Sequence, residues 1–285
     1  MTLDLATVLA QWAAGGLAFL WVTTRRREVS LGYGWLLRGV YGVLAVFAVL
    51  AELRSDHSGA ASTVFVVGTG AAALAAGVAL VVSVLRKDAG VSGRQAETAR
   101  RQARVAAMVG TAPDTPDAPT GPEFDPRLDL VAPVLGAIGL LGAAGVVGGD
   151  WWLAAARLLV GAAFLGVVTD AMLLGHWYLT QPGLARDPLR ELVRVAVWAW
   201  PFEIVVLCLP PGMISVVTGS VDDGYGGLLG WMWVVCAITT LGLLIASVYA
   251  LRERYYSAVM ATTGLLYLAI LTAAGTDLVA RALLG

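Results

Sequence analysis

Residues 61–85 read ASTVFVVGTGAAALAAGVALVVSVL, a run with no ionisable side chain, closed by Arg86 and Lys87. At about 1.5 Å per residue, roughly 20 residues of helix cross the ~30 Å hydrocarbon layer of a bilayer. This run is long enough to do so. Comparable apolar runs fall at 3–24, 33–53, 128–148, 152–179, 192–217, 227–250 and 257–283. Helix is the spanning structure they allow, because a backbone in lipid must satisfy its polar groups within its own segment. Barrel strands would be half as long and strictly alternating. The expected fold is therefore all-α, a polytopic integral membrane protein of eight transmembrane helices.

Composition agrees. Of 285 residues, 58% are hydrophobic and 14% charged, against about 25% charged in soluble domains. The N-terminus carries Asp4 and no basic residue before its apolar run, unlike a cleavable signal. The two cysteines, Cys208 and Cys236, lie inside apolar runs without metal-type spacing, as small buried hydrophobes do.

The distribution of positive charge orients the chain. With both termini outside, the inner segments hold Arg25 to Arg27; Arg86, Lys87, Arg94, Arg100, Arg101, Arg104 and Arg127; Arg186, Arg190 and Arg194; and Arg252 and Arg254. The outer segments hold only Arg54. Cytoplasmic loops carry such an excess of arginine and lysine, so the expected location is the cytoplasmic (inner) membrane, multi-pass.

The long inner loop divides the chain into helices one to three (1–85), a cytoplasmic segment (86–127) and helices four to eight (128–285). Its first half, 93–110, suggests a basic helix with Glu97 four residues before Arg101. Its second half, TAPDTPDAPTGPEFDP (111–126), reads as an extended linker. Tryptophans 12, 21, 35, 151, 152, 177, 231 and 233 fall mostly near span ends, as belt residues do. The glycine-rich runs at 68–77 and 136–149 present small residues at helical spacing, a surface for close helix packing.

No Walker loop, GxSxG, HExxH or strand-borne GxGxxG occurs. VDDGYGG (221–227) lacks the further ligands of a calcium loop and reads as an exposed turn. Functional candidates are instead the ionisable residues within spans, which cost about 2.5–3.5 kcal/mol each at mid-membrane. Asp170 and Glu203 fall about 13 and 16 Å above the inner ends of consecutive helices. If they face each other they would share a proton, and Arg38 stands ready to neutralise one of them. Glu203 follows Pro201, which should kink its helix, and LPPG (209–212) breaks it again. Near the inner boundary, DAMLLGHWYLTQPG (170–183) places Met172, His176, Trp177 and Tyr178 where a quinone headgroup or a b-type haem would be contacted. At the outer side Arg157, Asp277 and Arg281 suggest an ion-pair network.

In length, helix number and placement of both ends, the chain resembles the quinol-reactive membrane anchors of molybdenum oxidoreductases, a likeness of topology and of no motif. The expectation is a membrane subunit of a larger respiratory-type complex that handles electrons or protons. It would have lipids and other protein subunits as partners, no nucleic acid, and no catalytic residues of its own. The alternatives are a proton-coupled small-solute transporter and a non-catalytic scaffold or assembly subunit working through the 86–127 loop.

Overall fold

A computed structural model describes residues 4–109, 121–181, 184–253 and 255–284, without the side chains of residues 94, 97 and 101. Among the described residues all regular secondary structure is helical. The helices are α1 (Leu5–Thr24), α2 (Leu31–Glu52), α3 (Ala60–Leu85), α4 (Ser92–Val109), α5 (Val131–Val147), α6 (Trp151–Thr180), α7 (Asp187–Cys208), α8 (Met213–Val217), α9 (Leu228–Ala250) and α10 (Tyr256–Leu284), with short 3₁₀ turns before α4 and α5. Seven are long and apolar enough to cross a membrane: α1, α2, α3, α5 with its leading turn, α6, α9 and α10. The chain thus has the make-up of a multi-pass membrane protein. Helix α7 is charged over its first two turns and again at Glu203.

Helix α6 is the centre, in contact with α1, α5, α7 and α10, and most of its surface is buried. Lipid tails are as apolar as leucine, so packing and polar contacts hold these helices together rather than a hydrophobic drive. The packing is glycine-dependent. A Cβ added at Gly15 on α1 would lie 1.8 Å from the Ala162 carbonyl oxygen on α6, and one at Gly166 would lie 2.2 Å from the Gly15 backbone. Helices α3 and α5 meet the same way, with Gly68 against the Gly139 backbone and Gly142 against that of Phe65. Glycines from both runs noted in the sequence therefore meet at one interface.

Several tryptophans join helices. The Trp12 indole donates to Thr169 Oγ1 (2.7 Å), that of Trp35 to Ser83 Oγ (3.0 Å), and that of Trp177 to Ser30 Oγ (2.9 Å). Trp152 and Trp231 stay exposed, in keeping with a belt.

The inner loop departs from a plain tether. Glu123 ties three elements together: it accepts from Arg27 Nη1 (2.6 Å) and from Ser92 N (3.0 Å), and its carbonyl accepts from Arg86 Nη1 (3.2 Å). Phe124 is buried with the Arg38 guanidinium 4.4 Å above its ring, and Pro126 is buried too. Glu123, Phe124 and Pro126 are therefore docked, correcting the linker expectation for these residues, because one aromatic among the prolines found a cationic seat. Residues 110–120 lie outside the described part, as does any contact between the side chains of Glu97 and Arg101.

The VDDGYGG turn has a structural task. Asp223 accepts backbone N–H groups of Tyr225 (2.9 Å), Gly227 (2.8 Å), Leu229 (2.9 Å) and Gly230 (3.4 Å), holding the start of α9. The N–H groups of Gly227 and Tyr225 above all keep its carboxyl below the ordinary value of about 3.8. A depressed folded-state value means the contribution is present above the unfolded value and is lost as pH falls through the folded one. Asp223→Ala is accordingly expected to melt below the parent at pH 7, with the gap closing as pH drops below about 3.8. A gap that stays constant from pH 7 to 3 would refute the capping role.

Candidate functional site

The buried polar residues regroup across helices in ways that spacing along one helix does not show. Arg38 donates through Nε to Asp129 Oδ1 (2.7 Å) and through Nη2 to Asp129 Oδ2 (2.8 Å), and Thr24 Oγ1 adds a third bond to that carboxylate (2.9 Å). Such a bidentate fork satisfies both charges. Arg38 therefore does not neutralise Asp170 or Glu203, correcting that expectation; it pins the entry to α5 against α1 and α2.

Asp170 is bonded to a tyrosine. Tyr41 on α2 donates its hydroxyl to Asp170 Oδ1, and Tyr33 donates to the Asp170 carbonyl (3.3 Å). Tyr41 reaches there by lying across Gly16 of α1, where an added Cβ would sit 2.0 Å from its ring. Asp170 Oδ2 finds no hydrogen-bond partner among the described residues.

Glu203 faces a different set. The charges acting on it are those of Asp277 and Arg281, and Asp170 is not among them. The expected Asp170–Glu203 pair is thus not what the helices build. Equal depth does not make two residues neighbours: Asp170 is bonded to Tyr41 of α2, and neither oxygen of Glu203 has a hydrogen-bond partner among the described residues. Arg157, expected beside Asp277 and Arg281, donates instead to the carbonyls of Val206 (3.0 Å), Leu209 (2.8 Å) and Pro211 (2.7 Å). It clasps the end of α7 where Pro210 and Pro211 deny the chain further helix. The helix itself runs on through Pro201 to Cys208.

The resulting cluster lies between α1, α6, α7 and α10. Arg281 Nε donates to Asp277 Oδ2 (2.7 Å), one turn apart on α10. Gln11 Nε2 of α1 donates to Asp277 Oδ1 (3.2 Å). Gly161 of α6 makes room, since a Cβ there would come within 2.3 Å of Gln11 Nε2. Gln11, Glu203, Asp277 and Arg281 are all at most 1% exposed, and Arg281 heads the largest fully buried side chains. Gln11 Oε1, both carboxylate oxygens of Glu203 and both terminal nitrogens of Arg281 have no hydrogen-bond partner among the described residues. Buried polar atoms are nearly always bonded, so the orphans around the Asp277–Arg281 ion pair make this region the candidate site. Unbonded donors of Arg281 and unbonded acceptors of Gln11 and Glu203 are thus buried on helices that all pack on α6.

The residues expected to contact a cofactor diverge. His176 is exposed, with Nδ1 3.0 Å from the Tyr267 hydroxyl of α10. Trp177 turns to α2, donating to Ser30 and meeting Tyr33 edge to face. Tyr178 is buried, with its hydroxyl on the Ala185 carbonyl, and Met172 packs on the apolar core. Trp177 and Tyr178 are thus taken up by contacts within the protein, while His176 pairs with Tyr267. Among the described residues no group of three or more His, Cys, Asp or Glu is placed to hold a metal ion.

Sequence reasoning missed Gln11, Asp129, Tyr41 and Asp223. Gln11 had a legible signal, an uncharged amide amid alanines in the first span; Asp129 and Tyr41 depend on contacts between distant segments, and Asp223 on the local fold of a turn that reads simply as exposed. Compared with known proteins, the chain matches no family model, no curated protein and no solved structure.

Proposed function

We propose that the chain is an eight-span protein of the cytoplasmic membrane, both termini outside, that couples proton movement to passage of a small polar solute. The carrying observation is the set of buried, unpartnered acceptors of Gln11 and Glu203 and donors of Arg281 around the Asp277–Arg281 ion pair. Helix α7 is the eighth span in this reading. Its charges up to Arg194 sit in the first two turns, level with the other arginine-bearing ends, and beyond them Glu203 is its sole charged side chain. The positive-inside distribution supports the orientation.

The chemistry follows from the atoms. Glu203 loads and releases the proton; the Arg281 nitrogens donate to a solute's acceptor, and Gln11 Oε1 accepts from its donor. The break at Leu209–Gly212, next to Arg157, gives the segment beyond Glu203 a hinge point. Purified protein in liposomes enclosing a pH-sensitive dye tests this. Wild type is expected to link an imposed pH gradient to uptake of labelled small zwitterions or amides, and Glu203→Gln to lose at least about tenfold of that uptake while melting normally. Gradient-driven uptake unchanged in Glu203→Gln would overturn the reading.

A second reading, an electron- or proton-handling subunit of a larger complex that contacts a quinone, is favoured by one observation. The His176–Tyr267 pair presents two polar rings on the outside of α6 and α10. Quinone co-purifying with wild type but not with His176→Ala would support it; equal recovery from both would remove it.

A further inference from the structure

Three helix ends meet at the arginine-rich side: the segment after α1, the start of α7 and the end of α9. Between them lies a cleft of about 640 Å³. Arg26, Arg190, Arg194 and Arg252 line it, against two acids, Asp187 and Glu191. The acids are already engaged. Glu191 is ion-paired with Arg25 and, at 2.8 Å, with Arg26, and Asp187 lies 3.3 Å from Arg190 Nη1. Arg190 also donates to the Leu251 carbonyl from Nε (3.3 Å) and Nη2 (3.0 Å), fixing the end of α9 to α7. Arg252 rests over the Tyr249 ring at 4.4 Å, and Arg194 is exposed. Four guanidinium groups against two carboxylates leave the cleft two charges positive.

The rest of the lining is largely apolar, with Trp198 and Val248. Residues 191, 194, 198, 202 and 205 follow one another at steps of three or four, so they form one stripe along α7. That stripe runs from the charged mouth to Trp198, Phe202 and Val205, which are 74%, 61% and 56% exposed. A cationic pocket at the ends of membrane helices, continued by an exposed apolar stripe, matches an amphiphile with an anionic head. Basic pockets between spans on the arginine-rich side hold such headgroups. A free phosphate ester would use the arginines and leave the stripe idle.

We infer that this cleft binds the phosphate headgroup of an anionic membrane lipid, with Arg194 and Arg252 as phosphate contacts and Trp198 flanking the glycerol region. The inference rests on the membrane reading and is independent of the proton site, so its test uses binding rather than transport. The full chain in neutral detergent would be titrated with phosphatidylglycerol, phosphatidylcholine or glycerol phosphate and the bound species counted by native mass spectrometry. Phosphatidylglycerol is expected to be retained and phosphatidylcholine lost. Arg194→Gln/Arg252→Gln should weaken retention about tenfold or more, whereas Arg100→Gln/Arg104→Gln on α4, removing the same charge elsewhere, should not. Trp198→Ala should weaken the lipid as well. Equal retention of the two lipids, an unaffected Arg194/Arg252 variant, or glycerol phosphate binding as tightly as the lipid would each overturn the assignment.

Discussion

Replacing Arg281 with methionine is expected to destabilise the protein by about 3–5 kcal/mol, the usual consequence of removing one member of a buried ion pair. Arg281 is fully buried, and its Nε holds Asp277 Oδ2 at 2.7 Å. Without it, buried Asp277 keeps only the Gln11 amide as a neutral donor. The double variant Arg281→Met/Asp277→Leu removes both ends of the bond and is expected to recover more than half of the loss, since apolar replacements of buried pairs are often nearly neutral. Denaturant titration in mixed micelles, with all variants at equal protein concentration, measures the cycle. A single-variant cost below about 1 kcal/mol would place Arg281 in contact with water and dissolve the case for a sealed site.

The second large effect concerns the backbone contact at the centre of the bundle. Gly166→Val is expected to prevent α1 from seating on α6. The added Cβ would begin 2.2 Å from the carbonyl carbon of Gly15 and 2.4 Å from its oxygen, both backbone atoms that no rotamer change can move. Overpacking a core costs about 1–3 kcal/mol when side chains can yield; here the helices themselves must part. The parting would carry Gln11 away from Asp277 and Gly16 away from Tyr41, so both buried polar groups should loosen together. Gly264→Val on α10, where nothing lies within 4 Å of the added carbon, is the control and should express and melt as wild type. Comparable melting of Gly166→Val and Gly264→Val would show that the close approach is not needed.

The sequence by itself determined the local structure, and the reason is the solvent. In hydrocarbon every N–H and C=O needs a partner within its own segment, so an uninterrupted apolar run is already a helix with known ends. The run at 61–85 became Ala60–Leu85, and that at 152–179 became Trp151–Thr180. Glycine runs signalled close packing for the same local reason. Partners of the buried charges were not legible, because depth along a helix is a one-dimensional quantity and a contact also needs the rotation of each helix and the identity of its neighbours. Asp170 and Glu203 share a depth, yet α6 turns the first toward Tyr41 while α7 turns the second toward Asp277 and Arg281. Arg38 found Asp129, ninety-one positions along the chain, because the turn leading into α5 packs against α1 within reach of Arg38 on α2. Those choices are made by the glycine contacts that set which helices touch and how closely. Only the tertiary structure could therefore turn scattered polar residues into the cluster of Gln11, Glu203, Asp277 and Arg281.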